Sequence, residues 1–202
     1  MESDEELLER WRSGDREAGS RLIRRHFLNV RTYFRMRMPG EYEDLVQETF
    51  TGLSKSFDNF RGHSSFRTYL FRIARNVLAE ALRKRYRADF DPIVSSIVDL
   101  TGHSQATIMI EREHLRLLFD SLRALPLEQQ DLIELYCFQR IPARELAGVF
   151  GRTEGGIRSR IREALDNLRR IYHGLARHPH EHELDDEQLS RWLKELRELV
   201  RR

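Results

Sequence analysis

Between Pro142 and Arg170 the chain reads PARELAGVFGRTEGGIRSRIREALDNLRR, and its arginines have a type and spacing that point to chemistry. Arg158, Ser159, Arg160 and Arg162 are expected exposed on the longer helix of this segment, and Arg152 and Thr153 stand just before it. A guanidinium fork can bond a guanine edge or a phosphate at two points at once, which is recognition chemistry. A short helix, a tight turn at Gly151-Arg152-Thr153 and a longer helix form a helix-turn-helix pattern. The second helix of such a pair enters the major groove N-terminus first. An ordinary surface helix with solvated arginines has the same pattern, so DNA binding and a plain solvated face both stay open on spacing alone.

A second segment, Asp44 to Arg87, reads DLVQETFTGLSKSFDNFRGHSSFRTYLFRIARNVLAEALRKRYR. An acidic helix, a polar loop and a basic helix bearing aromatics follow one another. Basic side chains beside Phe60, Phe66, Tyr69 and Phe71 suit single-stranded DNA held by charge and stacking. A polar loop next to them suits an unpaired base. Periodicity favours the plainer reading of the aromatics, with Phe66, Tyr69 and Leu70 in the core.

Nothing in the chain reads as a phosphate-cradling loop or as a nucleophile with its base. Cys137 is the single cysteine, which rules out an intramolecular disulfide framework. His173, His178, His180 and His182 lack the ordered Cys/His spacing of a metal site, so no metal or cofactor is expected. The acidic start MESDEELLERW has no apolar segment of a signal peptide, and no apolar run is long enough to span a bilayer. A cytoplasmic protein is expected.

Hydrophobic residues are 40% and charged residues 34% of the chain, which suits amphipathic helices with solvated outer faces. Gly 11 and Pro 5 are too few for many short strands, so an all-α fold is expected. The net charge of +2 hides a separation of charge. Arg83, Lys84, Arg85 and Arg87 form one basic cluster and Arg152, Arg158, Arg160 and Arg162 another. Acidic residues gather near Met1, from Glu41 to Glu48 and from Glu181 to Glu187. A phosphate backbone responds to the local face and not to the sum.

The elements that must position these groups follow from caps and periodicity. Ser3 and Glu6 have capping-box spacing ahead of Leu7, Leu8 and Trp11. Asp15 caps a second helix, with an inward stripe Leu22, Ile23, Phe27, Val30 and Phe34 that Pro39-Gly40 ends. A third helix starts at about Tyr42, with Leu45, Val46, Thr49, Phe50, Leu53 and Phe57 on one face. Ser65 caps a fourth, buried through Phe66, Tyr69, Leu70, Ile73, Val77, Ala81 and Leu82. Helical periodicity lapses from Ala88 to Ser104 and resumes from about Gln105 to Ala124. Pro126 opens a helix with Leu132, Ile133 and Tyr136 inward. Pro142 opens another that Gly151 ends, and Thr153 caps a longer one carrying Ile157, Ile161, Leu165 and Leu168. After a polar, His-rich hinge, a last helix from Asp185 presents Leu189, Trp192, Leu193, Leu196, Leu199 and Val200.

DLVQETF, then SFRTYLFRIARN and a basic run, closely resembles region 2 of bacterial RNA polymerase sigma factors of the extracytoplasmic-function type, group IV of the sigma-70 family. RALPLEQQDLIELYCF followed by ELAGVFGRTEGGIRSRIREAL resembles region 4 of the same family. The resemblance runs from Asp4 to about Tyr172 with the motifs in family order. It implies region 2 over residues 1–87, a flexible linker over 88–104 and region 4 over 105–172, while a C-terminal extension with an amphipathic helix over 173–202 goes beyond the family plan.

The resemblance also implies roles. Asp44, Leu45, Gln47 and Glu48 would form or support the contact with core RNA polymerase, with Phe50 in the core. Asn59, Arg61, Gly62, His63 and Ser64 correspond to the pocket for a flipped-out base of the −10 element. Arg67, Arg72, Arg75 and Asn76 fall where the family contacts the strand being separated. Arg152, Thr153, Arg158, Ser159, Arg160 and Arg162 correspond to the −35 contact. The chain departs from the family pattern in four places. Glu80 stands for Asp, Glu163 for Arg, Arg140 for the Gly before the first motif helix, and Pro142 for a capping Ser. Core RNA polymerase and promoter DNA are the implied partners, and an anti-sigma factor is allowed. A helix-turn-helix regulator that never joins polymerase is the alternative, and a helical module that sequesters another factor is a third. The tail helix needs a cover for Trp192 and Leu193, either its own second bundle or a regulatory partner.

Overall fold

The computed structural model describes residues 2–38, 40–86, 112–176 and 184–201, and every element among them is helical. The chain forms two compact units, Met1–Ala88 and Asp89–Arg202. The expected linker, Arg87, His178, His180 and His182 lie outside the described residues, as does the start of the helix expected from Gln105.

In the first unit α1 (Asp4–Arg12) packs on α2 (Arg16–Arg35), α2 on α3 (Tyr42–Ser56), and α3 on α4 (Phe66–Tyr86). Local chemistry sets the helix starts. Glu6 N–H donates to Ser3 Oγ at 3.1 Å while Ser3 N–H donates to Glu6 Oε2 at 2.7 Å, a complete capping box. Asp15 Oδ1 accepts from the N–H groups of Glu17 and Ala18. Ser65 Oγ accepts from Thr68 N–H at 3.3 Å. The core holds Leu7, Leu22, Val30, Tyr33, Phe34, Leu53, Phe66, Leu70, Phe71 and Leu82.

The inward face of α2 differs from the expected stripe. His26 is buried and Phe27 is 42% exposed, so the face runs Leu22, His26, Val30, Tyr33. His26 turns inward because Asp4 of α1 meets it, with Nε2 2.7 Å from Oδ2. Phe27 and Phe50 stack at the edge of the unit, ring centroids 6.2 Å apart, which leaves Phe50 half-buried and not in the core.

In the second unit α5 (Glu113–Arg123), α6 (Leu127–Ile133) and α7 (Ala143–Phe150) all pack on α8 (Glu154–Leu175). Glu134–Phe138 continue α6 as a π-helical turn. A π turn adds a residue to the helical circuit and rotates the residues after it. Leu135 and Phe138 therefore point inward and Tyr136, expected inward, is 41% exposed. Gly151 ends α7 in the left-handed region at φ 62°, and Thr153 Oγ1 caps α8 by accepting from Gly156 N–H at 3.2 Å. The last helix, α9 (Asp186–Arg201), packs on α5 and the π-helical turn, burying Leu189, Leu193 and Leu196. Trp192 lies against Tyr172 and His114, at centroid distances of 5.8 and 4.7 Å. The second unit itself covers the tail's apolar face.

Candidate nucleic-acid interfaces

The helix-turn-helix geometry comes from three local choices. Gly151 takes the positive φ that reverses the chain, Arg152 crosses the turn, and Thr153 starts α8. Arg152, Thr153, Arg158, Ser159 and Arg162 are all exposed. Arg158 pairs with Glu154 one turn back, Nη2 to Oε1 2.7 Å, and that hydrogen bond followed by its charge raises the guanidinium pKa. Arg160 is half-buried on a different side, where its Nη1 donates to Glu128 Oε1 of α6 at 3.0 Å. Arg152 reaches the same carboxylate at 3.8 Å. The expected −35 set therefore divides: Arg158, Ser159 and Arg162 form an open face, while Arg160 ties α8 to α6. Glu163 is exposed on α8 as well, and it puts a negative charge beside that face. In the nearby π-helical turn, burial and then the charge of Glu134 push the Cys137 thiol up to about 12, which keeps it protonated near neutral pH.

In the first unit a 3₁₀ turn, Phe57–Asn59, leads into the polar loop. Asn59, Arg61, Gly62 and His63 are exposed and Ser64 is half-buried. Gly62 has φ 73°, a conformation that L side chains rarely adopt. The aromatics beside the loop are not available to stack on bases. Phe60, Phe66, Tyr69 and Phe71 are at most 8% exposed. Phe60 packs on Tyr69 at 5.2 Å, and the Tyr69 hydroxyl donates to Ser56 O at 2.7 Å.

Sequence reasoning missed the contacts that fasten the loop. Arg12, at the end of α1, donates through Nη2 to Phe57 O at 2.6 Å and also to Phe60 O. Its guanidinium carbon lies 6.0 Å from the Phe60 ring centroid. Trp11 stacks on Phe57, centroids 4.6 Å apart and planes 14° from parallel. Gly19 leaves room for that indole, since a Cβ there would stand 2.6 Å from the Trp11 ring. The periodicity of α1 carries no sign of a contact made more than forty residues along the chain.

On α4, Arg72 and Asn76 are exposed and share a face, with Arg72 lying 5.7 Å from the Tyr69 ring centroid. Arg75 is half-buried at its edge. Arg67 is half-buried about 140° round the helix from Arg72, so the expected strand-contacting set does not form one surface. Glu80 pairs with Lys84 at 2.9 Å. On α3, Asp44, Gln47 and Glu48 are exposed, while Leu45 is 5% exposed and sits beneath them in the core.

Two family models match these units: Sigma-70 region 2 over residues 21–88 and Sigma-70, region 4 over residues 121–170. The chain is 30% identical over 178 residues to the ECF RNA polymerase sigma-E factor of Escherichia coli K12, covering 82% of this chain and 93% of that protein. The corresponding factor of Haemophilus influenzae is 29% identical over 178 residues, covering 82% of this chain and 94% of that protein. Among solved structures, the fold is similar to the sigma factor RpoE in complex with the anti-sigma factor NepR from Bartonella quintana, with TM-score 0.58 and 22% identity over 75% of this chain and 94% of that one. It is similar too to CnrH in complex with the cytosolic domain of CnrY, with TM-score 0.61 and 23% identity over 87% of this chain and 100% of that one.

The chain belongs to the extracytoplasmic-function family of RNA polymerase sigma factors. It directs promoter-specific transcription with core RNA polymerase. No helix among the described residues is long and apolar enough to cross a membrane.

Proposed function

We propose that α8 reads the −35 element through Arg158, Ser159 and Arg162, with Arg152 and Thr153 at the phosphate next to its N-terminus. The observation that carries this reading is the face of a capped helix set by the Gly151 turn, with exposed arginines at i and i+4. Duplex approach exchanges the Arg158–Glu154 pair for guanine or phosphate acceptors. Both partners of that pair are well exposed, so the exchange costs little.

The polar loop Asn59–Ser64 receives the unpaired base of the −10 element, and Arg72, Arg75 and Asn76 on α4 hold the strand that carries it. Here charge and polar contacts act in place of stacking, since the neighbouring aromatics are buried. Asp44, Gln47 and Glu48 meet core polymerase with Leu45 as the packed base of that surface, and exposed carboxylates suit a basic partner. The protein has no catalytic site of its own: polymerase adds nucleotides and this subunit lends binding energy to the melted state. It acts in the cytoplasm, and an anti-sigma factor of the kind bound to its structural relatives would have these same surfaces to cover.

Run-off transcription with reconstituted holoenzyme on a genomic fragment library tests the reading. Arg158→Ala should lower initiation at −35-dependent promoters and leave polymerase binding intact. Lost polymerase binding with normal promoter choice would refute the assignment of α8.

A further inference from the structure

We propose that Arg12 is a positioning residue for base selection, holding the −10 loop in its reading conformation from the end of α1. The inference deepens the reading of Asn59–Ser64 as the base-receiving loop and rests on it.

The loop's own chemistry does not fix its shape. Its tip, Arg61-Gly62-His63, is exposed, and Gly62 adds backbone freedom there. Order is imposed at the two ends. At the exit Ser65 caps α4. At the entry the fastening is long-range, because Arg12 spans 45 and 48 residues of sequence to bind the carbonyls of Phe57 and Phe60. Phe57 O already accepts from Phe60 N–H at 3.1 Å, so the guanidinium closes a bridge across the two ends of the 3₁₀ turn. Asn59 lies inside that bridge and Arg61 directly follows it.

The residue type matters. A planar guanidinium can hold two carbonyls in a fixed relation while lying near the Phe60 ring, whereas an ammonium is a point charge without a plane. Trp11 fixes the other side of the turn by stacking on Phe57, and Gly19 admits the indole. Arg12 thus acts through the backbone of the loop and touches no base. A reading group must be held to about 0.5 Å of its productive position to discriminate, and a bridge across the turn restricts the backbone that carries these groups.

The test uses holoenzyme reconstituted with core polymerase and a promoter on which it initiates, randomised through the −10 region. Initiation is scored base by base for the parent, Arg12→Ala, Arg12→Lys, and the loop variants Arg61→Ala and His63→Ala. Arg12→Ala should flatten the preference at the unpaired base by roughly tenfold, in the low range for one well-made base contact. Preference in the −35 region and affinity for core polymerase should not change. Arg12→Lys keeps the charge and most of the stem and should fold even if the alanine variant does not; it should lose most of the same preference. An unchanged base profile in folded Arg12→Lys or Arg12→Ala, with the loop variants altering it, overturns the positioning role alone. Loop variants that leave the profile untouched overturn both the role and the loop reading beneath it.

Discussion

Arg160 of α8 and Glu128 of α6 are joined at 3.0 Å, and Arg152 approaches the same Glu128 oxygen at 3.8 Å. One carboxylate thus holds two guanidiniums of the helix-turn-helix. Glu128 is largely buried, with 14% of its side chain exposed, and Arg160 is 39% exposed, so the pair is screened on one side only. Arg160, although in the middle of an arginine-rich helix, serves to fix the angle between α6 and α8.

A double-mutant cycle at Arg160 and Glu128 should give a coupling of about 0.5–1 kcal/mol to stability, the upper part of the range for exposed pairs. Each single alanine variant should lower the melting temperature. Arg158→Ala should leave it unchanged and lower −35-dependent transcription instead. Equal melting temperatures for Arg160→Ala and Arg158→Ala would show that the two arginines do the same work.

Arg140 is the single non-glycine residue with positive φ among those described, at 54°. It follows the π-helical turn and precedes α7, where the family resemblance places glycine. An L side chain in this region costs about 1–2 kcal/mol. Glycine removes that strain but adds about 0.5–1 kcal/mol of unfolded-state entropy. Arg140→Gly should therefore stabilise the protein by roughly 0.5–1 kcal/mol, measured by chemical denaturation. A destabilised variant would mean that the Arg140 side chain contributes more than its backbone costs.

How much of this is legible in the sequence depends on the range of the interaction. Caps at Ser3, Asp15, Ser65 and Thr153 and the left-handed Gly151 are decided within four residues, and each stands where the sequence places it. Periodicity misplaces Phe27 and Tyr136 because it assumes a uniform helix and an apolar interior. A buried His26–Asp4 pair alters the inward face of α2, and the π-helical turn shifts the register around Tyr136. The arginine-rich face of α8 is visible as a set. Its division into reading and bracing residues is not, because that depends on Glu128, which comes 32 residues before Arg160. Arg12 is invisible for the same reason.

The Asp4–His26 pair makes the first unit acid-labile in a defined direction. Burial pushes the Asp4 carboxyl up, but hydrogen bonds and charge from His26 and Arg25 outweigh it and hold the group below the usual aspartate range. A carboxylate with a depressed folded pKa contributes stability that is complete above its unfolded value, about 3.9. That contribution is lost as pH falls through the lower folded value. Asp4→Ala should cost about 1–3 kcal/mol near neutrality, since it strips a partner from buried His26. Denaturation curves of parent and variant should converge as pH drops below about 4. A gap that stays constant down to strong acid would refute the role of the charge.

The last helix sets a final prediction about the second unit. Leu189, Leu193 and Leu196 are each no more than 4% exposed on α9, and Leu196 is fully buried. Burying a leucine side chain is worth about 1.5–3 kcal/mol relative to exposure, so the gross contribution of these three is several kcal/mol. The ion pairs of Arg169 with Asp186 and of Arg112 with Glu195 add little stability, because Asp186 and Arg112 are well exposed. Two variants separate the terms. Leu193→Ala should cost about 2–5 kcal/mol, the range for a buried leucine left as a cavity. Asp186→Asn should lie within about 0.5 kcal/mol of the parent. Deletion of residues 184–202 should lower the melting temperature of the second unit by at least as much as Leu193→Ala. If deletion leaves the melting transition where it was and Leu193→Ala is silent, α9 does not brace the second unit, and its leucine face is held for another surface.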